Sequence, residues 1–297
     1  MNTRHAYYSA KYAEHPRSMW ARRNCAARSG FYAIKPPPIP VYMYELKYTY
    51  KKNYFTHFFK IKHKERKVTA KSTTKFAEPE KVKLWKYMTF TKYIELISSK
   101  KLYLGKINGF RDIYEGTVTK HYKELHNKLV KQGEYTQQEV DDFFNELKSF
   151  EKMAHINCWH ENSYESAAMW DLYGRTNESI AIETNFARLQ NLLPDNVLLE
   201  KVKYLDYDSD LFPPLNNLAP FVHKRNSFKH ENEVRIIKFE NNNNKTGIKL
   251  DMNLNKLIEK VHVSPEAEPW FIDLVIEVTK KYQIKTTVVK SKLYNLK

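Results

Sequence analysis

The sequence predicts an α+β fold, a mixed and mainly antiparallel sheet with flanking helices, preceded by a basic aromatic N-terminal arm. Charge is the first observation: residues 1–80 carry 17 Lys and Arg against 5 Asp and Glu, and so hold 12 of the chain's net +16. Hydrophobic periodicity is the second. Beyond Lys81, short alternating or continuous apolar runs recur between segments with apolar residues at helical spacing, and no internal repeat is visible. Glycine is the third: only seven occur, none spaced for GxGxxG or a P-loop, which counts against a Rossmann fold and a Walker-type nucleotidase. The chain therefore divides into an arm, 1–80, and a single α+β domain, 81–297.

In the arm, Arg17, Arg22, Arg23 and Arg28 surround Trp20, Pro36 to Pro38 form a stiff extended linker, and Tyr42, Tyr44, Tyr48 and Tyr50 nearly alternate, as in a strand or hairpin. With Lys51 and Lys52 these residues make a surface that can neutralise phosphates and stack bases, so nucleic acid is an expected partner, held with a steep salt dependence. The simpler alternative is a solvated basic tail whose tyrosines pack on the body. No run is long and apolar enough for a signal peptide or a membrane span. Two cysteines, Cys25 and Cys158, are too few for a disulfide scaffold, and a reducing, cytoplasmic setting is the expectation.

In the body, Lys83 to Met88 reads as a strand, Thr89 or Thr91 caps the helix TKYIELISS, and KLYLG returns as a strand. Thr136 and Glu139 form a capping box opening a helix in which Val140, Phe143, Phe144, Leu147 and Phe150 share one face. HINCWH is strand-like, ESAAMWDLYG is a short helix stopped at Gly174, and SIAIET is a strand. LEKVKYLDY, EVRIIKFE and GIKLDM are strands, NNNNKTG is a turn, and EPWFIDLVIEVTKKY is a helix.

The densest chemistry is KHENEVR. Glu231 and Glu233 are two residues apart at the start of an apolar strand, where side chains at i and i+2 share a face, with Lys224, His230 and Arg235 close in sequence. Such a pair can orient a hydroxyl and activate a nucleophile. The competing reading is ion pairing with Arg225, Lys229 or Arg235 on a surface strand. GFRDIYEG places Arg111, Asp112 and Glu115 between two glycines, suited to ligand contact or to an ordinary turn in which Asp112 bonds its own backbone. His155, His160 and Glu161 lack zinc-ligand spacing, so no metal is expected. Met169, Trp170 and Tyr173 read as core before they read as a cofactor box, and Cys158 as a buried thiol. A phosphodiesterase grouping Asp112, Glu115, Glu231 and Glu233 around magnesium stays open as an alternative.

Six blocks in order, LWKYMTFTKYIELISSKKLYLGKINGFRDIYEG, CWHENSYESAAMWDLYG, IAIET, KVKYLDY, FVHKRNSFKHENEVR and VHVSP, resemble the uncharacterised bacterial family catalogued as domain of unknown function 2971. That resemblance spans the body and not the arm, and implies no chemistry. The Glu-x-Glu at a strand start is also similar to the third motif of ADP-ribosyltransferases, which implies NAD as cofactor, Glu233 as principal catalytic carboxylate and Glu231 as its partner. LWKYM resembles their first motif and puts forward Lys86 and Tyr87 for the NAD ribose. CWHEN or IAIET corresponds to their central strand, with Trp159 and His160, or Ile182 and Thr184, in place of the expected Ser or Tyr. Tyr87, Trp159 or Tyr173 would stack the nicotinamide, with Asp112, Glu115, Lys224 and Arg235 as further cofactor contacts. The resemblance implies a transferase or glycohydrolase acting on nucleic acid or protein, as in a toxin or phage-defence effector. A noncatalytic nucleic-acid-binding module is the other expectation.

Overall fold

The computed structural model describes residues 73–174, 176–210, 218–241 and 246–294. The Arg-rich segment, the proline run, the alternating tyrosines and most of the Asn-rich turn lie outside the described residues.

The elements follow the periodicities. Strand β1, Lys83–Thr89, leads into helix α1, Phe90–Ser99, and strand β2, Lys101–Lys106. Helix α2, Lys120–Lys131, is capped by the Thr119 side chain, and helix α3, Gln137–Met153, opens with both halves of the Thr136–Glu139 capping box. Strand β3, Ala154–Glu161, precedes a single α-turn at Ala167–Met169 that widens into a π-turn, Trp170–Gly174. Then come β4, Ser179–Asn185, α4, Phe186–Leu192, and two short strands, β5, Leu198–Lys201, and β6, Lys203–Leu205. Strand β7 is His223–Arg225, β8 Glu233–Phe239, β9 Gly247–Asp251 and β10 Lys260–Val263, followed by helix α5, Pro269–Lys281, and strand β11, Thr287–Lys290.

Three of these depart from the sequence reading. LEKVKYLDY is two strands: the ladder of β5 to β8 ends at Val202, whose N–H makes the next in-register bond, to the Glu233 carbonyl at 2.9 Å. Past that break, β6 pairs in parallel with β7 as a separate two-stranded sheet. KHYKELHNKLVK is a helix that its polar composition hid, since only Tyr122 and His126 are buried along it. Glu231 is not in the strand at all: it ends a 3-10 turn, Asn226–Glu231, and Asn232 then reverses the chain in the left-handed region at φ 37° before Glu233 begins β8.

Among the described residues nine strands form one sheet with β3 as its branch point. One edge of β3 pairs with β8 along the whole of Ala154 to His160, and β8 pairs with β5. The other edge is shared: His155 and Ile156 pair with β2, while His160 and Glu161 pair with β1. The sheet therefore splits at Asn157 to Trp159, with β2 and β9 on one branch and β1, β4, β10 and β11 on the other. Side chains fill the gap, as Lys86 Nζ donates to the Cys158 carbonyl at 2.9 Å and Asn157 Nδ2 to the Tyr103 carbonyl at 2.7 Å.

Period-2 alternation sorts the two faces. Leu84, Met88, Trp159, Ile180, Ile182, Val234, Ile236 and Val261 bury against α1, α4 and α5 in the main core. The opposite face is apolar at its ends, with Ile156, Ile237 and Phe221 at one and Trp85, Tyr87, Trp170 and Ala181 at the other. Between them lie polar residues, His160 beside Glu233 and Cys158 beside Arg235. Residues 73–76, within the stretch that charge assigns to the arm, dock on this body. Thr73 and Thr74 hydroxyls donate to Glu200 at 2.9 and 2.7 Å, and Phe76 packs edge-on against Phe186. Among the described residues no helix is long and apolar enough to cross a membrane.

Candidate active site

On that polar stretch a lysine and an arginine are enclosed by three carboxylates. Strand β7 carries Lys224 over the start of β8, and its ammonium donates to Glu115 at 2.9 Å, to Glu233 at 2.9 Å and to Glu231. Arg235, two residues along β8 from Glu233 and wholly buried, donates from Nε to Glu233 at 2.6 Å and from Nη2 to Glu115 at 3.0 Å. Its Nη1 donates to the Phe221 carbonyl at 2.9 Å, which completes the guanidinium's partners. With Glu231 ionised, three carboxylates against two cations leave the cluster one negative charge in excess, and all five side chains are buried.

Local structure explains the convergence. Gly116 has φ +74° and a Cβ there would lie 2.8 Å from Ile107 Cδ1, so only glycine lets the GFRDIYEG loop turn and deliver Glu115 inward. The 3-10 turn and left-handed Asn232 bring Glu231 back over Glu233, so the two carboxylates meet on Lys224 by chain reversal instead of by strand alternation. Tyr204 on β6 fixes the start of β8, its hydroxyl accepting the Glu233 backbone N–H at 2.9 Å. Asp112 makes the turn expected of it, its Oδ1 accepting the Tyr114 N–H at 3.1 Å, and the same oxygen accepts the Arg225 guanidinium at 2.9 Å. Arg225 in turn stacks on Tyr114 and Phe228, with centroid distances of 4.4 and 5.3 Å.

The two glutamates occupy unlike environments. Burial alone would raise Glu233, but Arg235 and Lys224 outweigh it and hold the carboxyl well below the usual range, permanently ionised. Glu231 is raised by burial and by the neighbouring Glu233, against the pull of Lys224, from 4.5 to about 7. Its Oε1 accepts the Tyr173 hydroxyl at 2.8 Å, and Tyr173 is 42% exposed, so the bond links Glu231 to a side chain that reaches the surface. The π-turn that carries Tyr173 is a rare local geometry often found at functional sites. His160 backs the pair, its ring Nδ1 bonding the Glu231 carbonyl at 2.6 Å, with the Tyr87 ring centroid 6.2 Å from its own.

Of the residues expected at a site, Glu115, Tyr173, Lys224, Glu231, Glu233 and Arg235 come together, and Asp112 adjoins them through Arg225. Arg235 and Lys224 face the carboxylates and hold them, so a cofactor cannot reach Arg235 without unfolding β8. Tyr87 shares the face of Glu233 but its hydroxyl accepts the Ser166 N–H at 2.8 Å. Lys86 and Trp159 are displaced by alternation to the other face: Trp159 is in the main core, and Lys86 lies 5.7 Å from its ring centroid. Lys86 is lowered to about 8, first by burial and then by Lys92. Cys158 is a partly buried thiol raised by desolvation, with no thiolate character. Glu115, Glu231 and Glu233 surround an ammonium where a magnesium site would need them free, and no metal-holding cluster of His, Cys, Asp or Glu occurs among the described residues. Tyr204 was not legible as a contributor, because the strand containing it reads as continuous with β5.

No protein-family model matches the sequence, so domain of unknown function 2971 finds no counterpart there. No curated protein matches it either. Among solved structures, "Thermus sp. 2.9 DarT in complex with NAD+" aligns over 72% of this chain and 98% of its own, with a TM-score of 0.34 and 8% identity. A likeness that remote assigns neither activity nor residues, which rest on the geometry of the site itself.

Proposed function

We propose that the chain is an NAD-consuming enzyme of the ADP-ribosyltransferase kind, with Glu231 as the reacting carboxylate and Glu233 as the fixed charge that tunes it. The observation that carries this is the buried carboxylate pair on Lys224. One buried carboxyl is locked in its ionised form by two cations, and its neighbour is poised near neutrality beneath a tyrosine hydroxyl. Two titratable groups pushed apart by their surroundings are the usual mark of an acid and base assignment. The Glu-x-Glu resemblance supports NAD as the substrate to be split.

In the reaction, the bond between the ribose anomeric carbon and the nicotinamide nitrogen breaks, and its electron pair passes to the ring, discharging the pyridinium. The anomeric carbon, cationic in the transition state, is stabilised by the cluster's excess negative charge. A nucleophile on the acceptor, or water, closes on that carbon, and its proton passes to Glu231. This exchanges the roles that sequence order suggested: Glu233 is closed in by Arg235 and Lys224, whereas Glu231 needs only Tyr173 to move. The residues Arg17, Trp20, Arg22, Arg23, Arg28, Tyr48, Tyr50, Lys51 and Lys52 of the arm would hold a nucleic-acid acceptor.

The test is transfer of labelled ADP-ribose from NAD to a mixture of protein, DNA and RNA. Label in one of these with wild type and its loss with Glu231→Gln supports the reading. Absence of both label transfer and nicotinamide release with wild type refutes it. Deleting residues 1–72 should weaken a nucleic-acid acceptor's binding and flatten its salt dependence; unchanged affinity removes the arm from the account.

A further inference from the structure

A second polar cluster lies on the same sheet face, spanning β1, β4 and β10. His262 on β10 stands directly across from Ala181 and is almost fully buried. Its Nε2 contacts Glu183 Oε2 on β4 at 2.8 Å, and its Nδ1 faces Glu165 Oε1 at 3.5 Å. Trp85 of β1 packs on the ring at 4.9 Å between centroids. Each carboxylate has further partners. Glu183 Oε1 takes the Lys83 ammonium at 2.7 Å, and Glu165 Oε2 accepts the Trp170 indole N–H at 3.1 Å. The Ser291 hydroxyl also bonds Glu165.

The geometry is that of a clasp between a sheet and a loop. Glu183, Lys83 and His262 belong to strands, whereas Glu165 begins the segment that runs through Trp170 into the π-turn bearing Tyr173. An imidazolium serves both carboxylates, Glu183 by a hydrogen bond and Glu165 by charge across 3.5 Å, where the buried Nδ1 makes no hydrogen bond. A neutral imidazole has one N–H donor, and must present a lone pair to the other carboxylate. The carboxylate that loses is Glu165, whose contact is longer, since Glu183 has Lys83 as a second anchor. We infer that His262 is a positioning residue: charged, it latches residues 165–174 to the sheet and so seats Tyr173 on Glu231; neutral, it releases that segment and uncovers Glu231.

The direction of titration fits. Burial lowers His262, but Glu165 and Glu183 outweigh it and raise the ring above its usual value. Glu183 is lowered to about 2, first by His262 and then, against burial, by Lys83. The latch is therefore complete below the ordinary histidine range and is lost as pH rises through the raised value of His262. The consequence for Glu231 rests on the proposed function, but the latch itself does not.

The test is hydrogen exchange across residues 162–174 of the full chain, from about pH 5 to about pH 9 and corrected for the intrinsic rate. Protection in this segment should fall about tenfold or more with rising pH while β4 stays protected, and Glu165→Gln should give low protection and a flat profile. A wild-type segment whose corrected protection does not change with pH overturns the latch, and so does a Glu165→Gln profile matching wild type. Neither readout involves NAD, so a failed transfer assay and a failed latch are separate results.

Discussion

Glu231 and Arg235 make opposite predictions about stability. Removing the Arg235 charge, as in Arg235→Gln, leaves Glu115 and Glu233 buried beside Lys224 alone, and should destabilise the fold by about 3–5 kcal/mol, read by denaturant unfolding. Glu231→Gln replaces a group whose neutral form the buried site favours, so its stability should stay within about 1 kcal/mol of wild type below about pH 4.5, where both side chains are uncharged. The pH dependence follows from the same two residues. A carboxyl raised from 4.5 to about 7 contributes fully below about 4.5 and loses that contribution as pH climbs through about 7. Glu233, lowered in the fold, adds slope only at the low end of this window, where the unfolded carboxyl still takes up protons, and it does so in wild type and variant alike, so it drops out of their difference. Wild type should thus lose stability between about pH 4.5 and 7 relative to Glu231→Gln; parallel curves would mean that Glu231 is not raised.

The elements show what a sequence reveals and what it hides. Strands with clear alternation, and the α3 capping box, were legible because local chemistry alone decides them: Thr136 and Glu139 need only each other. The break at Val202 was not, since it depends on where the ladder to β8 ends and on the pairing of β6 with β7, both made by partners distant in sequence. The pairing of Glu231 with Glu233 was read correctly as proximity and wrongly as strand geometry, because a left-handed Asn232 leaves no signature in spacing. Glu115 was legible only as a loop residue, and its place in the cluster depends on Gly116. Gly116→Ala must strain a φ of +74° and push Ile107 aside, so it should cost more than about 1 kcal/mol and lower any activity along with it. A variant as stable and active as wild type would contradict that dependence.

At the scale of the molecule, the branch at β3 sorts the chain's chemistry onto one face. Main-core residues fill the face packed by α1, α4 and α5, while the other carries a polar band from Arg235 and Glu233 through His160 and Tyr87 to Glu183 and His262. The class of fold was legible from periodicity; the sharing of one face by two polar clusters was not, because it depends on strand order, and β10 lies next to β4 although some 75 residues separate them. That arrangement makes a single function for Glu231, its tyrosine cap and its latch the central claim. Release of nicotinamide from NAD, by wild type and by a folded Glu231→Gln variant, tests it most directly. The account predicts release by wild type and a loss of about a hundredfold or more in the variant. Equal release by both, or none by wild type, would contradict it.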